Sequence, residues 1–417
     1  MSPASLLAPL ALLASCAALV PVHAEDGGAN ASVGWHPLGE EASAARDVAA
    51  IEALVQAFPD SGTLRLRLLT AQFQDADIEG VLATLDWLKQ RGYVFTGTSQ
   101  QQIPKLVGKE NSDRARALLI PEGEVIAASS VIDTVPADAQ LVESVVRDPK
   151  EDRLIVTSVI GKAVFGHKPT GGWDGYAPKD AANLSGIALD PDRRIVWIAS
   201  GHIDGSESKS GFAGLIGLDH RTDTETRIPA PSGVSLSDIT LAPDGTIYAS
   251  DPAGGGVYRA SPDATEMNVL IPPGTFRSPQ GLALNDDGGL LYVSDYRYGI
   301  AIVDLATKKV SRLATGLKLI LDGVDGMWRH GQELIVVQNG TSPMRISAFK
   351  LADDGMSVVA NRILEQANPA WTEPLSGNLD GDSLLYVGNG QWDRFVAGEP
   401  AQDKASLPTQ IRRLPLD

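Results

Sequence analysis

From residue 141 onward the chain alternates short apolar runs with turn residues at a period that suits strands, not helices. The runs are β-branched and aromatic, as in Ile195-Val196-Trp197, Ile247-Tyr248-Ala249, Leu290-Leu291-Tyr292-Val293 and Leu334-Ile335-Val336. Before them stand Asp148-Pro149, Asp190-Pro191, Pro243-Asp244-Gly245 and Asp286-Asp287-Gly288, which is turn chemistry between paired strands.

The pattern repeats as a two-strand phrase whose first residue falls in one register: Glu143, Ser185, Ser237, Gln280, Asp325 and Ser376. Successive copies lie about 41 to 52 residues apart, the spacing of propeller blades. An all-β six-bladed β-propeller is therefore expected, over residues 118–417. An open propeller would expose two strand edges. The sixth blade runs out of chain after Leu416, and the stretch 124–128 is the expected source of its outermost strand.

Upstream the period changes to that of helices. Residues 44–58, with Ser43 as cap, residues 64–73 and residues 78–91, closed by Gly92, carry apolar positions at helical spacing. The last two resemble a single tetratricopeptide-like hairpin, so a small α-helical segment is expected over 36–96. One such unit cannot bury its own face. It either packs on the propeller as a structural cap or binds a protein partner. Residues 97–117, rich in Gln, Ser and Lys, read as a linker.

The first 24 residues hold an apolar run and no charged side chain, and end at Val22-His23-Ala24. This reads as an export signal cleaved after Ala24, which implies a periplasmic or secreted protein; the alternative is a lipoprotein acylated at Cys16. Cleavage would remove Cys16, the one cysteine. No later stretch is apolar for long enough to span a bilayer. The formal charge of −17 over 417 residues argues against nucleic acid as a partner.

Inner strands of a propeller run along the central channel, so the register residues share one end of it. The residues after each second strand return to that end: His202, Asp295, Tyr296, Asn339, Asn389 and Trp392 among them. Hard divalent cations take oxygen ligands, with carboxylates to offset charge and neutral oxygens to complete the shell. Glu143 and Asp325 supply carboxylates, Gln280 an amide oxygen, and Ser237 or its neighbour Asp238 a further oxygen. A wet channel lined by polar residues without a metal would show the same residue types.

The phrases Glu143-Ser144-Val145, Ser278-Pro279-Gln280-Gly281-Leu282, Val324-Asp325-Gly326-Met327 and Ser294-Asp295 resemble the senescence-marker-protein and gluconolactonase family, related to strictosidine-synthase-like and paraoxonase-like propellers. The resemblance covers residues 138–417. It implies one divalent ion, Ca²⁺ or Mg²⁺, held by a glutamate, two asparagines and an aspartate, and hydrolysis of lactones or other esters. The glutamate matches Glu143 and the aspartate matches Asp325, whereas the asparagine positions hold Ser237 and Gln280. Gln adds a methylene, and Ser is a shorter and weaker ligand.

Two functions follow as expectations. One is a metal-dependent hydrolase in which Asp325 or His202 takes a proton from water, while Asp238, Asp295, Tyr296, Asn339, Asn389 and Trp392 orient a small lactone or ester. The other is a ligand-binding or scaffold propeller without catalysis. Serine-esterase, zinc-protease and nucleotide chemistries lack their motifs.

Overall fold

The computed structural model describes residues 34–37, 44–168, 170–206, 210–219, 222 and 224–417. The expected export signal, Cys16 and Ser43 lie outside the described residues. Six sheets form a ring; in blades 1 to 5 four antiparallel strands follow one another in chain order from the channel outward. Blade 1 comprises Val142–Asp148, Arg153–Ser158, Ala163–His167 and Trp173–Tyr176; blade 2 comprises Asn183–Asp190, Ile195–Gly201, Gly214–Asp219 and Thr224–Pro229. Blade 3 comprises Ile239–Leu241, Ile247–Asp251, Gly256–Ala260 and Asn268–Ile271; blade 4 comprises Pro279–Leu284, Leu290–Asp295, Gly299–Asp304 and Val310–Arg312. Blade 5 comprises Met327–His330, Glu333–Gln338, Arg345–Leu351 and Ser357–Gln366, and is extended by Ala314–Thr315 in parallel.

Blade 6 has three strands from the C-terminal end, Gly377–Leu379, Ser383–Val387 and Thr409–Pro415, and takes its fourth, Ser130–Val135, from before blade 1. The ring is closed as expected in kind, but by 130–135 and not by 124–128. The earlier stretch reaches blade 5 instead, where Ile126 bridges Gln366. A buried carboxylate fixes the junction: Glu365 accepts from Ser129 Oγ at 2.7 Å, from Asn368 at 2.6 Å and from Tyr386 Oη at 2.9 Å.

Apolar faces of neighbouring blades make the core. Leu184, Ile187 and Val196 pack against Val146, Ile155 and Val164 between blades 2 and 1. Trp197, Leu236, Tyr258 and Ala249 fill the space between blades 2 and 3, and the same arrangement runs round to Val145, Val156, Leu385 and Ile411 between blades 1 and 6. Each fully buried side chain of this size contributes about 1.5–3 kcal/mol, so the blades are held by many small contacts and not by one.

Among the described residues five helices precede the ring: α1 Val48–Ala57, α2 Gly62–Gln74, α3 Ile78–Lys89, α4 Gly97–Leu106 and α5 Ser112–Ala117. Asp47, Ser61, Asp77 and Thr96 cap the first four through side-chain oxygens. Shortly after helix α3 the chain turns at Gly92, whose φ of 71° a side chain would resist. Most of residues 97–117, expected as a linker, is thus helical. Their Ile103, Val107 and Ala115 pack with Val81, Leu85 and Leu88 of α3, and the polar residues that suggested a linker form the outer face. The apolar face of α1 and α2 rests on blades 3 and 4, where Ile51, Phe58, Leu64 and Leu68 meet Tyr248, Val257 and Tyr298.

A carboxylate pit at one end of the channel

The register residues sit on β-bulges. In blades 1, 2 and 4 the pairing of the inner strand slips at Val142/Ser144, Leu184/Ile187 and Pro279/Leu282. Blades 3 and 5 show the same two-against-one arrangement, since Ser237 N donates to Ser250 O while Ser250 N donates to Asp238 O, and Asp325 N donates to Val337 O while Val337 N donates to Gly326 O. A bulge frees one residue from the ladder and redirects its side chain, here at the channel end. The residue after it is pressed against the next blade: Gly186 N donates to Ser237 O at 2.7 Å, and Gly281 N to Asp325 O at 2.8 Å. A Cβ on Gly281 would lie 2.7 Å from Met327 N, which explains the glycine.

Deeper in the channel Asn378 of blade 6 donates to Val145 O at 3.0 Å and to Ile187 O at 2.8 Å, tying blades 1, 2 and 6 together. The register layer is thereby the floor of a pit. Four acidic side chains lie near enough there to act on one another through their charge: Glu143, Asp238, Asp325 and Glu373. Burial raises the pKa of Glu143 well above the carboxylate range, and the charges of Asp325, Glu373 and Asp238 raise it further, against a lowering bond from Trp392. Burial likewise takes Asp238 to about 7, with the charge of Asp325 adding to the rise. It takes Glu373 to about 7, again with Asp325 as the first charge acting on it. Asp325 rises to about 6 through burial, offset by the bond from Asn339.

The bonds that orient these groups are few. Trp392 Nε1 donates to Glu143 Oε2 at 2.9 Å. Asn339 Nδ2 donates to Asp325 Oδ2 at 3.0 Å and to Pro374 O at 3.1 Å, while its Oδ1 accepts from Tyr296 Oη at 2.9 Å. Gln280 turns its amide nitrogen towards Ser278 Oγ at 3.4 Å. Among the described residues none of the four carboxylates has an ion-pair partner. No three His, Cys, Asp or Glu side chains among the described residues stand close enough to hold a metal ion between them. A divalent ion here would therefore rest on two carboxylates at most, with neutral oxygens and water for the rest. The donor set fits such an ion on charge, because one oxygen each of Glu143 and Asp325 takes no protein hydrogen bond among the described residues.

Not every expected site residue joins the pit. Asp295 is fully buried, and its carboxylate accepts from Arg277 N at 2.6 Å and Arg297 N at 2.9 Å, so it organises its own loop. Asn389 is spent in the same way, donating to Pro408 O at 3.0 Å and accepting from Gln410 N at 2.6 Å. His202 sits just beyond the second strand of blade 2, its backbone N–H donating to Ser235 Oγ at 3.3 Å. Ser237 contributes its carbonyl to Ser185 Oγ at 2.6 Å. Glu373 is the one member of the pit that the repeat does not mark. It lies three residues ahead of Ser376, outside the repeated phrase, and its sole signal is an acidic residue before Pro374.

No family model matches the chain, and no curated protein matches it. Solved structures of similar shape include a gluconolactonase from Xanthomonas campestris, 16% identical over 72% of this chain and 99% of that one, with a TM-score of 0.48. Virginiamycin B lyase from Staphylococcus aureus is 13% identical over 62% of this chain and 81% of its own, with a TM-score of 0.47. The PQQ-bound aldose sugar dehydrogenase of Streptomyces coelicolor is 15% identical over 70% of this chain and 99% of its own, with a TM-score of 0.46. Likeness at this level does not extend to chemistry. Among the described residues no helix is long and apolar enough to cross a membrane.

Proposed function

We propose that the protein hydrolyses lactones or other esters with the help of a divalent cation, Ca²⁺ or Mg²⁺, at the carboxylate pit. The observation that carries this reading is the convergence of four acidic side chains with no cationic partner among the described residues. Crowded like charges, Glu143 buried and the other three half-buried, call for either protons or a cation. Glu143 and Asp325 would hold the ion, with Gln280 as the neutral oxygen and Ser237 acting through water. When bound, such an ion polarises a carbonyl and lowers the pKa of water.

The chain's own residues supply the rest. Asp325 is the proton acceptor, and the Tyr296–Asn339 pair fixes its carboxylate. Asp238 and Glu373, at about 7, are suited to pass that proton on. Trp392 offers a ring face beside Glu143 for an apolar part of the substrate. The N-terminal 24 residues would direct the protein to the periplasm or outside the cell, which N-terminal sequencing of the mature protein tests.

The rival reading, a propeller that binds a ligand without turning it over, is favoured by one observation: Ser237 and Gln280 are weaker or longer ligands than a close-fitting site would use. Bound metal in the purified protein, followed by lactone hydrolysis with and without chelator, separates the two. Metal at about one per chain and chelator-sensitive turnover lost in Asp325→Ala support hydrolysis. Absence of both across a lactone panel leaves binding alone.

A further inference from the structure

A half-open cavity of about 360 Å³, distinct from the carboxylate pit, lies between the helical attachment and blade 5. Arg91, Lys318 and Arg345 line it, together with Gln338, Asn361 and Gln366. Arg345 begins the third strand of blade 5 and is only 7% exposed. Its guanidinium, with five N–H donors to satisfy, has one long contact, Nη2 to Thr341 Oγ1 at 3.4 Å, and its Nε is buried without a partner.

The carboxylate that acts on Arg345 is Asp322, but that group is committed elsewhere. Asp322 Oδ1 accepts from Gly62 N at 2.7 Å, and Oδ2 accepts from Thr63 N at 2.8 Å and Ser61 Oγ at 3.1 Å. Arg91 adds a second cation, stacked over Trp87 at 3.8 Å and bonded to Leu319 O at 3.0 Å. Glu122 and Glu124 also line the cavity, yet both are exposed and neither forms an ion pair with the three cations among the described residues. A buried, nearly unpartnered guanidinium is costly unless an anion meets it. The planar fork of arginine matches carboxylate and phosphate oxygens in pairs, and the volume suits a small molecule.

We propose that this cavity binds a small oxyanion, a carboxylate or phosphate group, with Arg345 as its buried anchor and Arg91 and Lys318 completing the charge. The inference is independent of hydrolysis at the pit, and its test reads binding, not turnover.

The test titrates the full chain calorimetrically with inorganic phosphate and, separately, with succinate, each against sodium chloride of equal ionic strength, alongside thermal melts. Saturable binding of at least one anion, with a raised melting temperature, is expected; the tighter of the two identifies phosphate or carboxylate as the recognised group. Arg345→Met removes the unpaired charge while keeping a long side chain, and should weaken that binding at least tenfold. Lys318→Glu changes an exposed residue at the mouth and should weaken it several-fold, so it carries the test if the first variant does not fold. No saturable binding of either anion above the chloride control overturns the proposal. So does affinity left unchanged by Arg345→Met, or by Lys318→Glu where that variant must stand alone.

Discussion

The backbone N–H of Gly62 donates to the carboxylate of Asp322 at 2.7 Å, joining the first residue of α2 to the segment that carries Asp325 three positions later. Thr63 N and Ser61 Oγ complete the contact, and Leu321 N donates to Asp60 O at 3.0 Å. An acidic side chain at a helix N-terminus meets unsatisfied N–H groups and the positive end of the dipole. The helical attachment is therefore a clamp on the loop that delivers Asp325. Asp322→Ala should cost about 2 kcal/mol, a sum of lost cap and buried charge-assisted bonds, and lower the melting temperature by about 4 °C or more. Under the hydrolytic reading the same variant also weakens Ca²⁺ binding at Asp325, measured by titration on folded protein. Unchanged melting would show that the clamp is idle.

Asn339 couples Tyr296 to Asp325 without any charge of its own. Replacing it by Leu removes the donor and leaves Asp325 Oδ2 unpaired in a half-buried place. One lost hydrogen bond to a charged group corresponds to about 1.5–3 kcal/mol, so under the hydrolytic reading kcat/KM should fall by about ten- to a hundredfold. Tyr296→Phe, which removes only the bond behind Asn339, should cost less. The reverse order of the two effects, in steady-state kinetics, would contradict the arrangement.

Gly281 tests the bulge. A methyl group there would meet Met327 N at 2.7 Å and Asp325 O at 2.8 Å, both backbone atoms that cannot swing aside. Gly281→Ala should destabilise the ring by about 1–3 kcal/mol, seen as a lower urea midpoint with unchanged slope. Because the clash falls on the Asp325 carbonyl, metal affinity should drop with it under the hydrolytic reading. Gly289→Ala is the control, since a Cβ there lies 3.1 Å from the movable Asp287 side chain.

What the sequence made legible was whatever repeats. The blades follow from alternation and turn chemistry, and the register fixed Glu143 and Asp325 at one channel end, because a bulge at the start of each inner strand is itself repeated. Residues outside the phrase were hidden. Glu373 belongs to the connection into blade 6 and has no counterpart in other blades to mark it. Asp295 and Asn389 carried the right chemistry but not the right duty, since side chains this short bond their own loops before they reach a ligand. The closing strand was placed too early because 124–128 and 130–135 both favour strands, and only pairing with Thr409–Pro415 decides between them. The helices in 97–117 were masked by outward-facing Gln and Ser, while their buried Ile103, Val107 and Ala115 are too sparse to show a period.

The pit also sets how stability depends on pH. Folding raises the pKa of Asp238 and Glu373 to about 7 and of Asp325 to about 6, from ordinary carboxylate values of 3.8 and 4.5. Between those limits the folded chain binds more protons than the unfolded one, so metal-free stability falls as pH rises through the folded values and is greatest below them. In chelator, the melting temperature should drop by several degrees between about pH 5.5 and pH 8, since a tenfold change in a carboxylate's proton affinity on folding corresponds to about 1.4 kcal/mol. Glu373→Gln removes one of the raised carboxylates and should flatten that slope while raising the melting temperature at pH 8. Under the hydrolytic reading, millimolar Ca²⁺ or Mg²⁺ at pH 8 should restore what the protons supplied at pH 5.5, because a cation and protons compete for the same oxygens. A metal-free protein that melts higher at pH 8 than at pH 5.5, with no change in slope in Glu373→Gln, would mean that the four carboxylates do not share a buried field.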